Sequence, residues 1–599
     1  MRLTGFAKGF ITIVILAVLG YVGYHYRDRL IPSAKTKGSV IPQSVELAQA
    51  PEAAAAQQVD YDIPGSSAGC DDRPEVRANI WAWNAQMGLI AATGGKQATR
   101  GSLMCKEGVN LRLIREDDVA KMQENLVAFA SALKNGDRNP GDGVHFVAIM
   151  GDGGAAFLKG LNDVLETKLG PEYRAVIIGS CGYSRGEDKF MGPQEWKSNP
   201  SASKGGLVAG YLRDGDWNIA QKWLGDNGLR NNPDEKTWDP DALNWVAAET
   251  YVDAAKKYVE GWNEERPVVR NGRPTGERRR VTVNGVVTWT PGDVTVAREK
   301  GGLVSIVSTQ EYSSQMPNVL IGINKWLVDN RTTAEAMLSA IMKGGDAVKS
   351  NRRALEHAAK LSANIYNEET PEYWLKYFKP VVEQDRQGLS VSLGGSYVNN
   401  LADNLLLFGL VPGSANLFAA TYTKFGDLVV QQYPELVPNY PPVNRILDTS
   451  YLKAITQRIG GAEMASVERE KPRYEPTGAP KSVVGRRSWN ITFETGRATF
   501  TPEAEAVLDQ LARELLVAGG TLVQVHGHTD SVGNPDANQL LSEERAFAVK
   551  QWLMEKSSVN FPSERISVHA HGPSNPVASN STDAGRARNR RVEIILTTS

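Results

Sequence analysis

The sequence predicts an α/β protein with three parts: one N-terminal membrane helix, a large α/β middle, and a smaller α+β domain at the C-terminus. Three observations carry this. Gly9 to Tyr26 is an apolar run without Asp, Glu, Lys or Arg. Strand-like and helix-like patterns alternate through residues 67–460. Residues 488–599 then hold alternating strands and dense polar motifs. The 67 basic and 68 acidic residues leave a formal charge of -1, and 41% of residues are hydrophobic. This balance argues against nucleic acid as a partner and for ordinary globular cores.

Gly9 to Tyr26 is about the shortest run that spans a bilayer as a helix. Tyr21, Tyr24 and Tyr26 gather at one end, as an interfacial aromatic belt does. Arg2 and Lys8 also make the n-region of a signal peptide. No small-x-small cleavage site follows closely, because the chain runs into Tyr24-His25-Tyr26-Arg27-Asp28-Arg29. The expectation is an uncleaved signal anchor over residues 1–32. Residues 33–66, rich in Ala, Gln, Ser and Pro, then read as a flexible linker.

Cys70, Cys105 and Cys181 allow one disulfide. A Cys70–Cys105 bridge closes a loop worth about 4 kcal/mol in the chain-entropy model. Cys181 can replace either partner.

Residues 67–460 are long enough for two domains or one bilobal unit. Val144 to Met150, Ala175 to Gly179 and Leu207 to Leu212 read as buried strands. The first leads through Gly151-Asp152-Gly153-Gly154 into a helical stripe of Phe157, Leu158, Leu161 and Val164. The third leads through Asp214-Gly215-Asp216-Trp217-Asn218 into a helix with Ala220, Trp223 and Leu224. Val281 to Thr288 reads as a hairpin turning at Asn284-Gly285. Strands alternating with helices indicate mostly parallel sheets with ligands at strand C-terminal ends.

Enzymatic readings fail on context. Gly182-Tyr183-Ser184-Arg185-Gly186 has the nucleophile-elbow spacing. The helix that should follow is cut short by Gly192-Pro193, and only His357 lies downstream in the same region. Gly151 to Ala156 has the glycines of a dinucleotide fingerprint, yet it is not on the first strand and lacks a ribose-binding acid. No Cys or His pairs show zinc spacing. The expectation is a non-enzyme with no catalytic residues, no metal and no cofactor.

Four segments of the middle resemble the periplasmic substrate-binding proteins of ABC importers, of the nitrate, taurine or phosphate type. They are Trp83-Asn84-Ala85-Gln86-Met87-Gly88-Leu89, Lys106-Glu107-Gly108-Val109-Asn110-Leu111, Gly205-Gly206-Leu207-Val208-Ala209 and Thr288-Trp289-Thr290-Pro291-Gly292-Asp293. The resemblance implies two lobes closing on a small ligand. It places Trp83, Asn84 and Gln86 at the cleft from one lobe, and Asp216, Trp217 and Asn218 from the other. Trp289 and Asp293 follow a later strand. Helix N-termini favour an oxyanion such as phosphate, whereas Asp152, Asp214, Asp216 and Asp293 repel one. The tryptophans suit a sugar or an amine instead.

Residues 461–487 mix charge with Pro472, Pro476, Gly478 and Pro480 and read as a second linker. Beyond them come Val525-His526-Gly527-His528-Thr529-Asp530-Ser531-Val532-Gly533, Leu540-Leu541-Ser542-Glu543-Glu544-Arg545-Ala546 and Gly585-Arg586-Ala587-Arg588-Asn589-Arg590-Arg591. Thr521 to His526 alternates as a half-buried strand does. Ser542 is a good N-cap for a helix whose stripe is Ala546, Val549 and Leu553. Arg545 then stands in a first turn, where the helix dipole disfavours a cation. A charge so placed suggests a ligand contact. Asp530 and Arg545 together suit a zwitterion, the carboxylate taking an ammonium and the guanidinium a carboxylate.

These three ordered motifs resemble the peptidoglycan-binding domain of the OmpA-like family over residues 488–599. The resemblance implies that Asp530 and Arg545 hold the amino-acid end of diaminopimelate, with Asn538 and Arg590 nearby. Val532 replaces a small hydroxyl residue of many relatives, and His526 stands where they often have Glu. His526, His528, His569 and His571 are expected on one sheet face, as a metal site, a pH sensor or a plain solvated surface. The expected protein is therefore anchored in a bacterial inner membrane by a single pass, with its bulk in the periplasm. It grips peptidoglycan and captures or senses a small ligand. The alternative is a non-catalytic scaffold in an envelope protein complex, the bilobal domain being its protein-interaction surface.

Overall fold

The computed structural model describes residues 61–213, 215–459, 470–474 and 481–598. The expected membrane helix, Asp214 and most of both linkers lie outside them. No helix among the described residues is long and apolar enough to cross a membrane.

The chain first lays down β1 (Glu75–Ile80), β2 (Asn110–Arg115), β3 (Phe146–Met150) and β4 (Ala175–Ser184) in one sheet. It crosses through residues 185–188 into a second sheet. That sheet holds β5 (Lys189–Gly192), β6 (Leu207–Gly210), β7 (Asn244–Ala247), β8 (Gly285–Thr288) and β9 (Val304–Ser308). Residues 309–316 carry it back to β10 (Pro317–Ile323), and β11 (Ser396–Val398) closes the first sheet. The strand orders are β11-β4-β10-β3-β1-β2 and β9-β5-β8-β6-β7. Each sheet with its helices is one lobe.

The sheets are mixed rather than mostly parallel. β1 runs parallel to β2 and β3, and β6 to β7 and β8. β10 and β5 run against their neighbours. Crossing imposes this: β4 and β9 end at the gap between the lobes, so β5 and β10 must start there and run the other way.

The expected hairpin at Asn284-Gly285 does not form. Thr282 belongs to the strand Arg273–Thr282, which pairs with Asn263–Arg270, while β8 joins the second sheet. Asn284 instead accepts a hydrogen bond from the Leu207 N–H at 2.9 Å. The hairpin turns at another Asn-Gly, Asn271-Gly272, where both residues have positive φ (51° and 73°), as a two-residue turn of the I′ type requires. Cys70 and Cys105 form the disulfide, and Cys181 is a buried free thiol. The ordered lobe takes up the chain by Tyr61, which is buried and bonded to Ala91 O and His357.

Helices α1 (Gly154–Lys168) in the first lobe and α2 (Gly215–Asp226) in the second follow β3 and β6, and α3 (Leu417–Gln432) packs on α1. The C-terminal domain comprises β12 (Ser482–Trp489), α4 (Ala504–Val517), β13 (Leu522–Gly527), α5 (Pro535–Lys556), β14 (Ile566–Ala570), α6 (Asp583–Asn589) and β15 (Val592–Thr598). Its sheet order is β12-β15-β13-β14. β12 begins inside the expected second linker, because Val484 and Trp489 enter the core. The helix expected to start at Ser542 starts two turns earlier. Asn534 caps it by accepting from the N–H groups of Asp536 and Ala537, with Pro535 in its first turn. Arg545 is therefore mid-helix, and the first-turn argument for it does not hold.

The C-terminal domain is docked on the bilobal unit. Helix α4 lies against α3 of the first lobe, and β12 against α2 of the second. Gly520 N–H donates to Glu311 O and Ser314 N–H to Val517 O, so the domain also grips the 309–316 crossover. Between these elements sits a buried charge cluster. Lys222 Nζ bonds Asp226 at 3.1 Å and Glu514 at 3.0 Å, Lys424 pairs with Glu514, and Tyr312 OH donates to Asp226 at 2.7 Å.

Candidate functional site

The strongest site is on the C-terminal domain, where separate segments converge. Asp530 stands on the loop after β13 and is only 8% exposed. Its Oδ2 takes Arg590 Nη1 at 2.5 Å and its Oδ1 accepts the Val532 N–H at 3.0 Å. Asn538, one turn into α5, donates to Val532 O at 2.9 Å and Asp530 O at 3.4 Å, so it holds the loop in shape. Arg545 comes from the middle of α5. Its Nε donates to Arg497 O at 3.1 Å, its guanidinium lies 5.0 Å from the Phe493 ring centre, and it is 7% exposed. Its pKa is lowered first by burial and then by Arg590, with Asp530 opposing.

The four expected residues thus meet, with one change of pairing. Asp530 contacts Arg590 directly, and Arg545 flanks the pair. Two guanidiniums around one carboxylate leave a net positive, half-sheltered site. It can hold a carboxylate bidentately and still offer Asp530 to an ammonium. Arg497 and Phe493, which seat Arg545, were not foreseen. Asn589 was not foreseen either: fully buried, it binds Val577 N, Ala578 N and Ala578 O, fastening the loop before α6. Its place inside the Arg588-Asn589-Arg590 motif was the available signal.

The second candidate is the gap between the lobes. Trp83, Asn84 and Gln86 follow β1 and are buried. Trp83 Nε1 donates to Glu187 at 2.9 Å, Asn84 to Trp374 O at 3.1 Å and Gln86 to Trp81 O at 2.7 Å. Asp216, Trp217 and Asn218 form the first turn of α2. Asn218 reaches across the gap to Asp152 Oδ2 at 3.2 Å, and Gln315 of the crossover reaches the same oxygen at 3.1 Å. Trp217 packs against Trp245 and Tyr433, with ring centres 6.2 and 5.9 Å away. Trp289 stacks on Tyr251 at 3.8 Å and faces Trp81 of the first lobe at 6.1 Å. Asp293 pairs with Lys189 and accepts from Gly394 N–H, both partners of the ion pair being fully buried.

Sequence reasoning missed Glu187. Glu187 and Asp188 lie in the first crossover, Lys189 opens β5, and all three are buried. Burial, with Asp188 beside it, pushes the Glu187 carboxyl well above the usual range; burial raises Asp188 to about 6. Ser184 of the rejected nucleophile elbow bonds Thr309 at 2.6 Å, pinning the two crossovers together. Asn84 Oδ1, Gln86 Oε1, Asn218 Oδ1 and Gln315 Oε1 are buried acceptors without a hydrogen-bond donor among the described residues.

Comparison with known proteins bears on the first site. Residues 492–590 match the OmpA family. The chain is 42% identical over 107 residues to the probable lipoprotein YiaD of Escherichia coli strain K12, covering 18% of this chain and 48% of that protein. It is 37% identical over 134 residues to outer membrane protein A of Bordetella avium, covering 22% of this chain and 64% of that protein. The chain therefore spans about half to two thirds of the length of these relatives. The crystal structure of the periplasmic nitrate-binding protein NrtA from Synechocystis PCC 6803 aligns over 65% of this chain and 90% of its own, with a TM-score of 0.45 at 11% identity. Residues 492–590 form an OmpA-family domain.

Proposed function

We propose that this protein grips peptidoglycan non-covalently through Asp530, Arg545 and Arg590, with Asn538 shaping the loop. The observation that carries this is the convergence of one carboxylate and two guanidiniums from three separate segments in one half-sheltered site. Diaminopimelate in a stem peptide offers the matching ammonium and carboxylate. In this reading the bulk of the chain lies in the periplasm and Gly9 to Tyr26 anchors it in the inner membrane. The direct test is co-sedimentation of the purified protein with sacculi. Free diaminopimelate should release the protein, and sedimentation indifferent to it would sink the reading.

The bilobal unit is proposed to capture a small polar solute without chemical change. The buried acceptors that lack donors support a ligand rich in N–H or O–H groups. An oxyanion is the poorer fit, since Asp216 lies in the first turn of α2 and Asp152 meets Asn218 there. Asn218→Ala should weaken binding of such a solute by about 1–3 kcal/mol, the cost of a lost buried polar contact. Titration calorimetry measures that loss. The scaffold reading is favoured by one observation: Asn218, Asp152 and Gln315 already close the gap with their own side chains. A solute at 100 times its dissociation constant should stabilise the protein by about 2.7 kcal/mol. A broad metabolite screen without any such shift, together with a gap filled by the protein's own side chains, would favour the scaffold reading over solute capture.

A further inference from the structure

The other face of the C-terminal sheet holds a pocket that shares no residue with the clamp. Its volume is about 640 Å³, and its polar walls include Arg486, His526, His528, His571, Arg591 and Glu593. Ligand sites are commonly of this size. Period-two alternation builds it: Val523 and Val525 of β13 enter the core, so His526 and His528 turn outward.

Two of the imidazoles are fully employed. His526 Nδ1 and His571 Nε2 are 2.7 Å apart in rings tilted by only 7°. Gln524 Oε1 lies 3.2 Å from His526 Nε2, and Asn575 Nδ2 lies 3.2 Å from His571 Nδ1. The network assigns both rings as neutral, His571 donating to His526. Their nitrogens have no lone pair left for a metal, and among the described residues no three His, Cys, Asp or Glu side chains converge on a metal position. His528 differs. It is 3% exposed, stacks on His571 at 4.7 Å, and among the described residues neither of its nitrogens has a hydrogen-bond partner. Arg591 Nε is likewise buried and unpartnered. Buried groups of this kind are rare unless something else satisfies them.

The charged and titratable groups around the pocket are Arg486 from β12, His526 from β13, His528 just after it, His569 from β14, His571 from the loop that follows, Arg591 just before β15 and Glu593 on it. Among the described residues lining the pocket Glu593 is the one carboxylate, 3.7 Å from His528 Nε2 and 4.0 Å from Arg486 Nε. Two guanidiniums, one carboxylate and surplus N–H donors select an anion. We propose that this pocket binds a tetrahedral oxyanion, with Arg591 and Arg486 as fixed charges and His528 as an N–H donor.

The pH dependence follows from the same crowding. His526 is held down to about 4, first by burial and then by His569 and His571, and His571 is lowered for similar reasons. The unfolded chain therefore binds more protons than the folded one below the ordinary histidine value. Folded stability falls as pH drops from about 6.5 toward 4. A bound anion favours the imidazolium forms and opposes that loss.

Sulfate is the probe, because its charge is constant over this range. Calorimetry on the purified chain should show sulfate binding about tenfold tighter at pH 5.5 than at pH 7.5, the equivalent of one charge-assisted hydrogen bond. Arg591→Gln and Arg486→Gln should each weaken it about tenfold. Arg486 is more than half exposed, so its replacement leaves folding intact, and sacculus binding should be unchanged. No sulfate binding at either pH, or binding indifferent to both substitutions, would overturn the proposal.

Discussion

Asp530→Ala is expected to abolish recovery of the protein with sacculi. In the proposed clamp the substitution removes the group that would take the ligand's ammonium, and it leaves Arg545 and Arg590 without the Asp530 counter-charge. Truncating one partner of a sheltered charge pair at an interface costs about 2–5 kcal/mol of binding. That is a loss of roughly 30-fold to several thousandfold, enough to empty the pellet. The fold should survive. Arg590 is 46% exposed and can turn to solvent, so the lost pair is worth about 0–1 kcal/mol of stability. Circular dichroism should be unchanged and the melting temperature nearly so. Asp530→Asn, which keeps the size and the loop hydrogen bond, should fail equally in sacculus binding. If either variant pellets like the wild type, the clamp is misassigned.

Lys222→Met is expected to have the largest effect on stability. Lys222 has no exposed side-chain surface and lies between Asp226 and Glu514, 292 residues apart from the latter. Burial raises the Glu514 pKa, but Lys222 and Lys424 outweigh it and hold the carboxyl at about 2. Methionine keeps the volume and removes the charge, leaving two carboxylates in one dry site with only Lys424 between them. Breaking a buried ion pair this way costs about 3–5 kcal/mol. The urea midpoint should fall accordingly, and residues 461–487 should become easier to cleave as the C-terminal domain loosens. Adding Asp226→Asn should restore most of the loss, because Lys424 and Glu514 then balance. A double variant as unstable as the single one would show that packing, not charge, governs the site. The Glu514 contribution has its own pH signature: its folded pKa lies below the unfolded value, so the stabilisation is complete above about pH 4.5 and is lost as pH falls toward 2.

Both predictions rest on features with very different visibility in the sequence. Asp530, Arg545 and Arg590 were legible because they lie in three ordered local motifs, and Asn538 because it stands between the first two. The alternation of β13 and β14 placed His526 and His569 on one face by period. The helix carrying Arg545 was misread at its start. Ser542-Glu543-Glu544 imitates a cap, but Ser542 is mid-helix, where its hydroxyl bonds Gln539 O and accepts the Gly572 N–H. That second bond comes from a loop 30 residues away, which no local rule anticipates. The Asn284-Gly285 turn failed for a like reason: its Asn was recruited by Leu207 of a neighbouring strand.

What the sequence determined by itself is therefore what short-range physics controls: strand and helix periods, the three ordered motifs of the C-terminal domain and the restriction of three cysteines to one disulfide. What only the tertiary structure decided is which distant polar groups share a dry space. The Asn218–Asp152 latch, the buried Glu187, the Lys222 cluster that turns a tethered domain into a docked one, and the Asp530–Arg590 pairing all belong there. The reason is physical. Backbone conformation depends on a few neighbouring residues, whereas the worth of a charge depends on the dielectric and partners around it, and these exist only once surfaces remote in the chain have met.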